Sequence, residues 1–351
     1  MRLELCLPAL NGANPSPASH VQLARTAELS GYHAVWVPEL LSTDPYGLLA
    51  WIGAHTETIR LGSAVAQIAA RTAVTTASCA ATLDALSGGR LLLGLGVSSP
   101  RIVEGWHGLQ YHRPLLHLRE YVEVVRAALS GEPISYEGQT ITLPARSETG
   151  SVTPMALPLG RPLPLHLAGL GPQAVRLAGE LADGLIAIHC PPEYMKSARS
   201  WLEEGAECSG RSLDGFAVRV MMTVVVDDDL GLARDLVRPT LALFVGGMGT
   251  KDTNFYNRLA VRLGFAHQAF EVQEAFISGD IGQAIDSIPD AMVDAMSVCG
   301  PPELVAAKLD QYRDAGVDAV IVGVSGSTHP ERTEQIERIA ALYPAGLTGY
   351  C

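Results

Sequence analysis

The chain has 351 residues, 48% hydrophobic and 18% charged, with a formal net charge of −12. That length can bury a large core within one barrel-sized domain, and the acidic balance disfavours nucleic acid as a partner, because phosphate binding needs a basic surface. No uninterrupted apolar run reaches the roughly 18 residues of a membrane helix, and the six cysteines (Cys6, Cys79, Cys190, Cys208, Cys299, Cys351) form no CxxC pair, so reduced thiols and a cytoplasmic setting are expected.

Residues 3–7 are a first apolar run of strand character. Ser16 can cap the helix that follows, Pro17 suits its first turn, Val21, Leu23, Ala24 and Ala27 form its apolar side, and Gly31 ends it. Further strand-like runs occupy residues 34–37, 59–66 and 91–95, the last fed by the turn Ser87-Gly88-Gly89. Residues 130–162, rich in Gly, Pro, Ser and Thr, read as an insertion between strands four and five. Strand runs resume at 163–168, 184–188 and 217–226, and residues 228–300 then hold several helix-like pieces, including 230–245 and 253–278, read as a helical insertion near a substrate pocket. A last helix opens at Pro301 and Pro302 with Leu304, Ala307, Leu309 and Tyr312 on its apolar side, and residues 319–324 form the eighth strand. Eight strands alternating with helices predict an α/β fold, a (β/α)8 TIM barrel over residues 1–351 as one domain, with insertions at its C-terminal mouth.

Residues at the strand ends carry the candidate chemistry. Gly94-Leu-Gly96 has Ser99 where a third glycine belongs and fails the dinucleotide fingerprint, whereas Gly169-Leu-Gly171-Pro-Gln-Ala174 matches G-x-G-x-x-A between an apolar run and a helix. Against a Rossmann reading, the match lies in the fifth of eight units and the next strand carries no acidic residue at its tip; under either fold, open N–H groups at a helix start favour an anion. Glu39 ends the second strand and Asp44 follows in the same loop, carboxylates placed to orient a substrate or move a proton, although Asp44 before Pro45 equally suits a helix cap. His107, His112 and His117 recur every five residues and share no face, so no metal site is expected. His166 and His189 stand at strand ends, lining the mouth or buried and hydrogen-bonded. The run Gly96-Val-Ser98-Ser-Pro100 has proline where a hydrolase elbow needs its second glycine.

Residues 84–108, with Gly31-Tyr-His-Ala-Val-Trp-Val-Pro-Glu39, Arg60-Leu-Gly-Ser-Ala-Val-Ala-Gln67 and Asn254-Phe-Tyr-Asn257, resemble the luciferase-like flavin and deazaflavin oxidoreductases, and Val103-Glu-Gly-Trp-His-Gly108 is most similar to the branch using coenzyme F420. The resemblance implies F420 as cofactor (FMN as the alternative), its phosphate held at Gly169, Leu170, Gly171 and Pro172 and its ring lined by Gly96, Val97, Ser98 and Ser99. It also implies a non-proline cis peptide between Ala64 and Val65 behind the ring, Gln67 at the ring edge, and Trp106 with His107 as pocket wall and proton-handling group, a structural aromatic corner being the competing account. Ser98-Ser-Pro-Arg101 departs from the family's Ser-Gly-Pro-Gln, which leaves Arg101 as a substrate-pocket residue or a solvent-facing one. The implied activity is hydride transfer between F420 and a small organic substrate by a homodimer. An FMN-dependent monooxygenase of the same fold and a non-catalytic flavin-binding or carrier protein are the alternatives.

Overall fold

A computed structural model describes residues 1–10, 16–41, 43–146, 150–155 and 159–343. Eight parallel strands, β1 (Arg2–Cys6), β2 (Ala34–Val37), β3 (Arg60–Ser63), β4 (Leu91–Gly96), β5 (Leu165–Ala168), β6 (Gly184–Ile188), β7 (Ala217–Val226) and β8 (Ala319–Val324), pair in chain order. The sheet closes on itself, since Leu3 of β1 pairs with Val320 of β8 while Arg219 of β7 pairs with Ala319 on one side and Ile186 on the other. It is the (β/α)8 barrel expected, and because every strand runs the same way, all eight C-terminal ends open on one rim.

Alternation along each strand divides two cores. Leu91, Leu93 and Leu95 of β4 point outward into the large layer between sheet and helices, whereas Leu92 joins Trp36, Ala64, Ile186, Met221 and Ile321 inside the barrel. The inward positions that follow Leu92 are glycines for a steric reason: a Cβ at Gly94 would lie 2.0 Å from the Ser63 carbonyl oxygen, and one at Gly96 2.6 Å from Val65.

The third strand does not run unbroken over residues 59–66. It stops at Ser63, the Ala64–Val65 peptide is cis, and pairing with β4 resumes at Ala66–Gln67. Across the break the Ser63 hydroxyl donates to the Gly94 carbonyl and accepts from the Gly94 N–H, both at 2.9 Å, standing in for ladder bonds. β5 starts two residues later than expected because Pro162 and Pro164 lack the N–H groups a strand needs.

The insertions also acquire definite structure. Within 130–162 the described residues include an antiparallel pair, Tyr136–Glu137 with Thr142–Leu143. The stretch 230–245 is an α-helix, Leu230–Ala242, continuing into a π-turn, Leu243–Gly247, and 253–278 is two helices, Phe255–Arg262 and Ala266–Ser278, parted at Gly264 with φ of 95°. Val298–Gly300 adds a short strand that extends pairing along β7. The helix at Pro302–Asp314 buries Val305, Leu309 and Tyr312, while Leu304 is exposed. It is not the last: His329–Leu342 follows β8, started by a capping box of Thr328 and Glu331. The first helix matches its expected signals, with Ser16 accepting from the Ser19 N–H and Gly31 at φ of 82°.

Candidate active site

The rim gathers the expected residues in three groups. In the first, Glu39 lies beyond the end of β2, buried, with both carboxylate oxygens engaged: Oε2 accepts from the Gln67 N–H at 2.6 Å and Oε1 from Arg71 Nη1 at 2.5 Å. Arg71, which the sequence did not single out, reaches Asp44 with its other arm at 2.6 Å and lies 4.9 Å over the Tyr46 ring. Asp44 takes the capping role its position before Pro45 allowed, accepting from the Tyr46 and Gly47 N–H groups. Glu39 therefore acts on the segment that holds the Ala64–Val65 peptide. Gln67 donates its Nε2 to the Glu39 carbonyl at 2.9 Å, and its buried Oε1 has no donor among the described residues, a deficit that a ligand donor at this position would fill.

The second group follows β4. Gly96, Val97, Ser98 and Ser99 lead into the short helix Pro100–Gly105, and Ser98 holds a left-handed φ of 60°, a conformation that tends to concentrate at functional sites. Trp106 is 60% exposed and so is no packed corner, whereas the Nε2 of His107 is buried with no partner among the described residues. Arg101 is exposed and has no ion-pair or hydrogen-bond partner among the described residues.

The third group is the loop after β5. The Gly169 N–H donates to the Ile186 carbonyl at 3.2 Å and so belongs to the sheet. Leu170, Gly171, Gln173 and Ala174 have N–H groups with no acceptor among the described residues, and the helix Pro172–Leu181 starts with no side-chain cap. Pro172 presets its first turn and removes one donor. Such a terminus concentrates free N–H groups and the positive end of the helix dipole.

Beyond β6, His189 adopts φ of 56° and meets the Met296 carbonyl with Nδ1 at 2.9 Å, its ring edge-on to Phe244 at 4.6 Å, which in turn meets Tyr256 at 4.7 Å. Phe244 belongs to the π-turn, whose freed carbonyls are taken by two side-chain amides: Asn254 donates to the Phe244 and Val245 carbonyls and Asn257 to that of Val245. The Asn254-Phe-Tyr-Asn257 motif is thus the brace of an aromatic wall, a role that emerges only from the fold.

Below the mouth the barrel interior carries charge. Glu4 of β1 and Arg219 of β7 pair at 2.9 Å, the Trp36 indole donates to the same Glu4 oxygen at 2.7 Å, and Arg219 lies 3.3 Å from His166 Nδ1. Burial and the neighbouring Arg219 and Arg60 hold the His166 imidazole well below its usual pKa, and burial lowers that of His189 to about 4. Both rings are thus depressed relative to the unfolded value of about 6.5, so their contribution to stability is present above that pH and is lost as pH falls toward 4. Thermal stability is expected to fall from pH 6.5 to 5 with a slope of up to about 1.4 kcal/mol per pH unit per ring. A flat unfolding profile over that interval would show that these rings titrate normally in the fold.

Among the described residues no group of His, Cys, Asp and Glu is arranged to hold a metal, and no helix is long and apolar enough to cross a membrane. Residues 1–319 match the model of the luciferase-like monooxygenase family. The chain is 38% identical to a Mycobacterium tuberculosis protein named "Putative coenzyme F420-dependent oxidoreductase", over 94% of this chain and 96% of that protein. It is 29% identical to the 5,10-methylenetetrahydromethanopterin reductase of Methanopyrus kandleri over 92% and 93% of the two chains. The solved structure of the coenzyme F420 dependent tetrahydromethanopterin reductase from that organism superposes with a TM-score of 0.81 at 27% identity, covering 97% of each chain.

Proposed function

We propose, from the premise that this chain belongs to the luciferase-like monooxygenase family, that it is an F420-dependent oxidoreductase transferring a hydride between the deazaflavin and a small organic substrate. The observation that carries the reading is the loop after β5, where four N–H groups without acceptors among the described residues meet an uncapped helix start, the donor set a coenzyme phosphate requires. The rest of the rim is compatible: Gln67 Oε1 is a buried acceptor awaiting a donor, and the bare backbone at Gly94 and Gly96 lies beside the Ala64–Val65 peptide.

In this reading Leu170, Gly171, Gln173 and Ala174 hold the phosphate, Gln67 accepts from a donor on the ring edge, and Ala64 and Val65 back the ring. Glu39 and Arg71 keep that segment in place. A bound deazaflavin supplies a carbon centre that carries two electrons as hydride. Ser98 and Ser99 line the ring, and Arg101 and Trp106 face the substrate. His107, whose Nε2 has no partner among the described residues, is the group that exchanges a proton with substrate.

Parallel fluorescence titrations of apoprotein with F420 and with FMN test this. F420 is expected to bind at least about tenfold more tightly, a difference of about 1.4 kcal/mol. Binding of FMN alone would replace the reading with a flavin monooxygenase, and tight F420 binding without turnover over enones, imines and alcohols would leave a carrier.

A further inference from the structure

Tyr194 stands outside the barrel, in the first turn of the helix Pro192–Ser209, yet its hydroxyl donates to the Leu170 carbonyl of the anion loop. The same oxygen accepts from Arg262 Nη1 at 3.3 Å, and Arg262 ends the helix Phe255–Arg262 in the large insertion. The Tyr194 ring is held edge-on against Trp201 at 5.7 Å. The platform under this contact is stiff, because the helices that follow β5 and β6 approach backbone to backbone: a Cβ on Gly179 would fall 2.2 Å from the Leu202 carbonyl oxygen and one on Gly205 2.0 Å from that of Arg176.

A peptide unit is planar and trans, so its C=O and N–H point in opposite directions. The Leu170 carbonyl and the Gly171 N–H share one unit. Drawing that carbonyl toward Tyr194 therefore turns the Gly171 N–H the other way, and it also keeps a carbonyl oxygen from facing an anion held by the neighbouring donors. We infer that Tyr194, backed by Arg262, is a positioning residue that orients the Leu170–Gly171 peptide for the phosphate of the coenzyme, so that the insertion after β7 sets coenzyme affinity through the loop after β5. This inference rests on the phosphate assignment above and deepens it.

The test compares F420 with the same deazaflavin lacking the phosphodiester tail, each titrated by fluorescence against purified parent, Tyr194→Phe and Arg262→Met. Tyr194→Phe keeps the ring on Trp201 and removes only the hydroxyl, so the fold is expected to survive with melting unchanged within a few degrees. Its F420 dissociation constant is expected to rise about tenfold, the scale of one hydrogen bond, while affinity for the tail-less deazaflavin stays within twofold. Arg262→Met is expected to move F420 affinity the same way by a smaller factor, also sparing the tail-less ligand. Equal losses for both ligands, or no loss for either, in Tyr194→Phe would overturn the positioning role while leaving the phosphate assignment standing. A parent protein that binds the two ligands equally would overturn the phosphate assignment and this inference with it.

Discussion

Gly171→Asp is expected to leave the protein at least as stable as the parent and to weaken F420 binding about a hundredfold, or 2.7 kcal/mol. The two effects have opposite signs and separate causes. Gly171 is the N-cap of Pro172–Leu181, with φ of −90° and ψ of 160°, extended backbone open to any residue, and a Cβ there meets nothing within 4 Å. Asp is among the best N-caps, so its carboxylate would accept from the free N–H groups of the first turn, although over a glycine cap this adds only about 0.3 kcal/mol. The same carboxylate then occupies the donors proposed for the phosphate and repels it: two like charges about 4 Å apart at an effective dielectric near 20 oppose each other by about 4 kcal/mol. Gly171→Asn separates the contributions, since it caps without charge and should lose less affinity. Melting temperatures with F420 titrations check both signs, and a Gly171→Asp protein that binds F420 like the parent would place the phosphate elsewhere.

The second large effect concerns the barrel interior. Arg219→Met is expected to cost about 3 to 5 kcal/mol, because removing one partner of a buried pair strands the other charge away from water. Glu4 is fully buried, and Arg219 is its ion-pair partner as well as the cation lying 5.3 Å over the Trp36 ring. Pairing that change with Glu4→Gln removes the stranded charge while leaving an oxygen to accept the Trp36 indole N–H, so the double variant should recover most of the loss. Urea unfolding of the parent, the single and the double variant measures this directly. A single-variant loss below about 1 kcal/mol, or a double variant no better than the single one, would show that water reaches the pair.

The contrast between these two sites shows where sequence reading reaches. The loop after β5, proposed above to take the phosphate, stood out in the sequence because its features are contiguous: an apolar run, Gly-Leu-Gly, then a proline-started helix. The barrel was legible for the same reason. A strand of a parallel sheet is buried on both faces and appears as an unbroken apolar stretch, and the bounds Ala34–Val37, Gly184–Ile188, Ala217–Val226 and Ala319–Val324 could be read to the residue. The cis peptide at Ala64–Val65 was accessible only through resemblance, since no local pattern in Gly-Ser-Ala-Val-Ala forces it.

The tertiary structure alone decided how distant residues pair. Glu4 and Arg219 are single charges inside apolar runs 215 positions apart, and they meet because β1 and β7 both pair with β8 and turn those positions into the barrel. Arg71 had no local feature to mark it, yet it binds both carboxylates that the sequence had put forward for chemistry, one of which, Glu39, also accepts from the Gln67 backbone N–H. Hydrophobic period, caps and turns act over a few residues and are written in the chain. Which buried charge finds which partner depends on closure of the sheet, and low dielectric makes only the paired arrangement tolerable there.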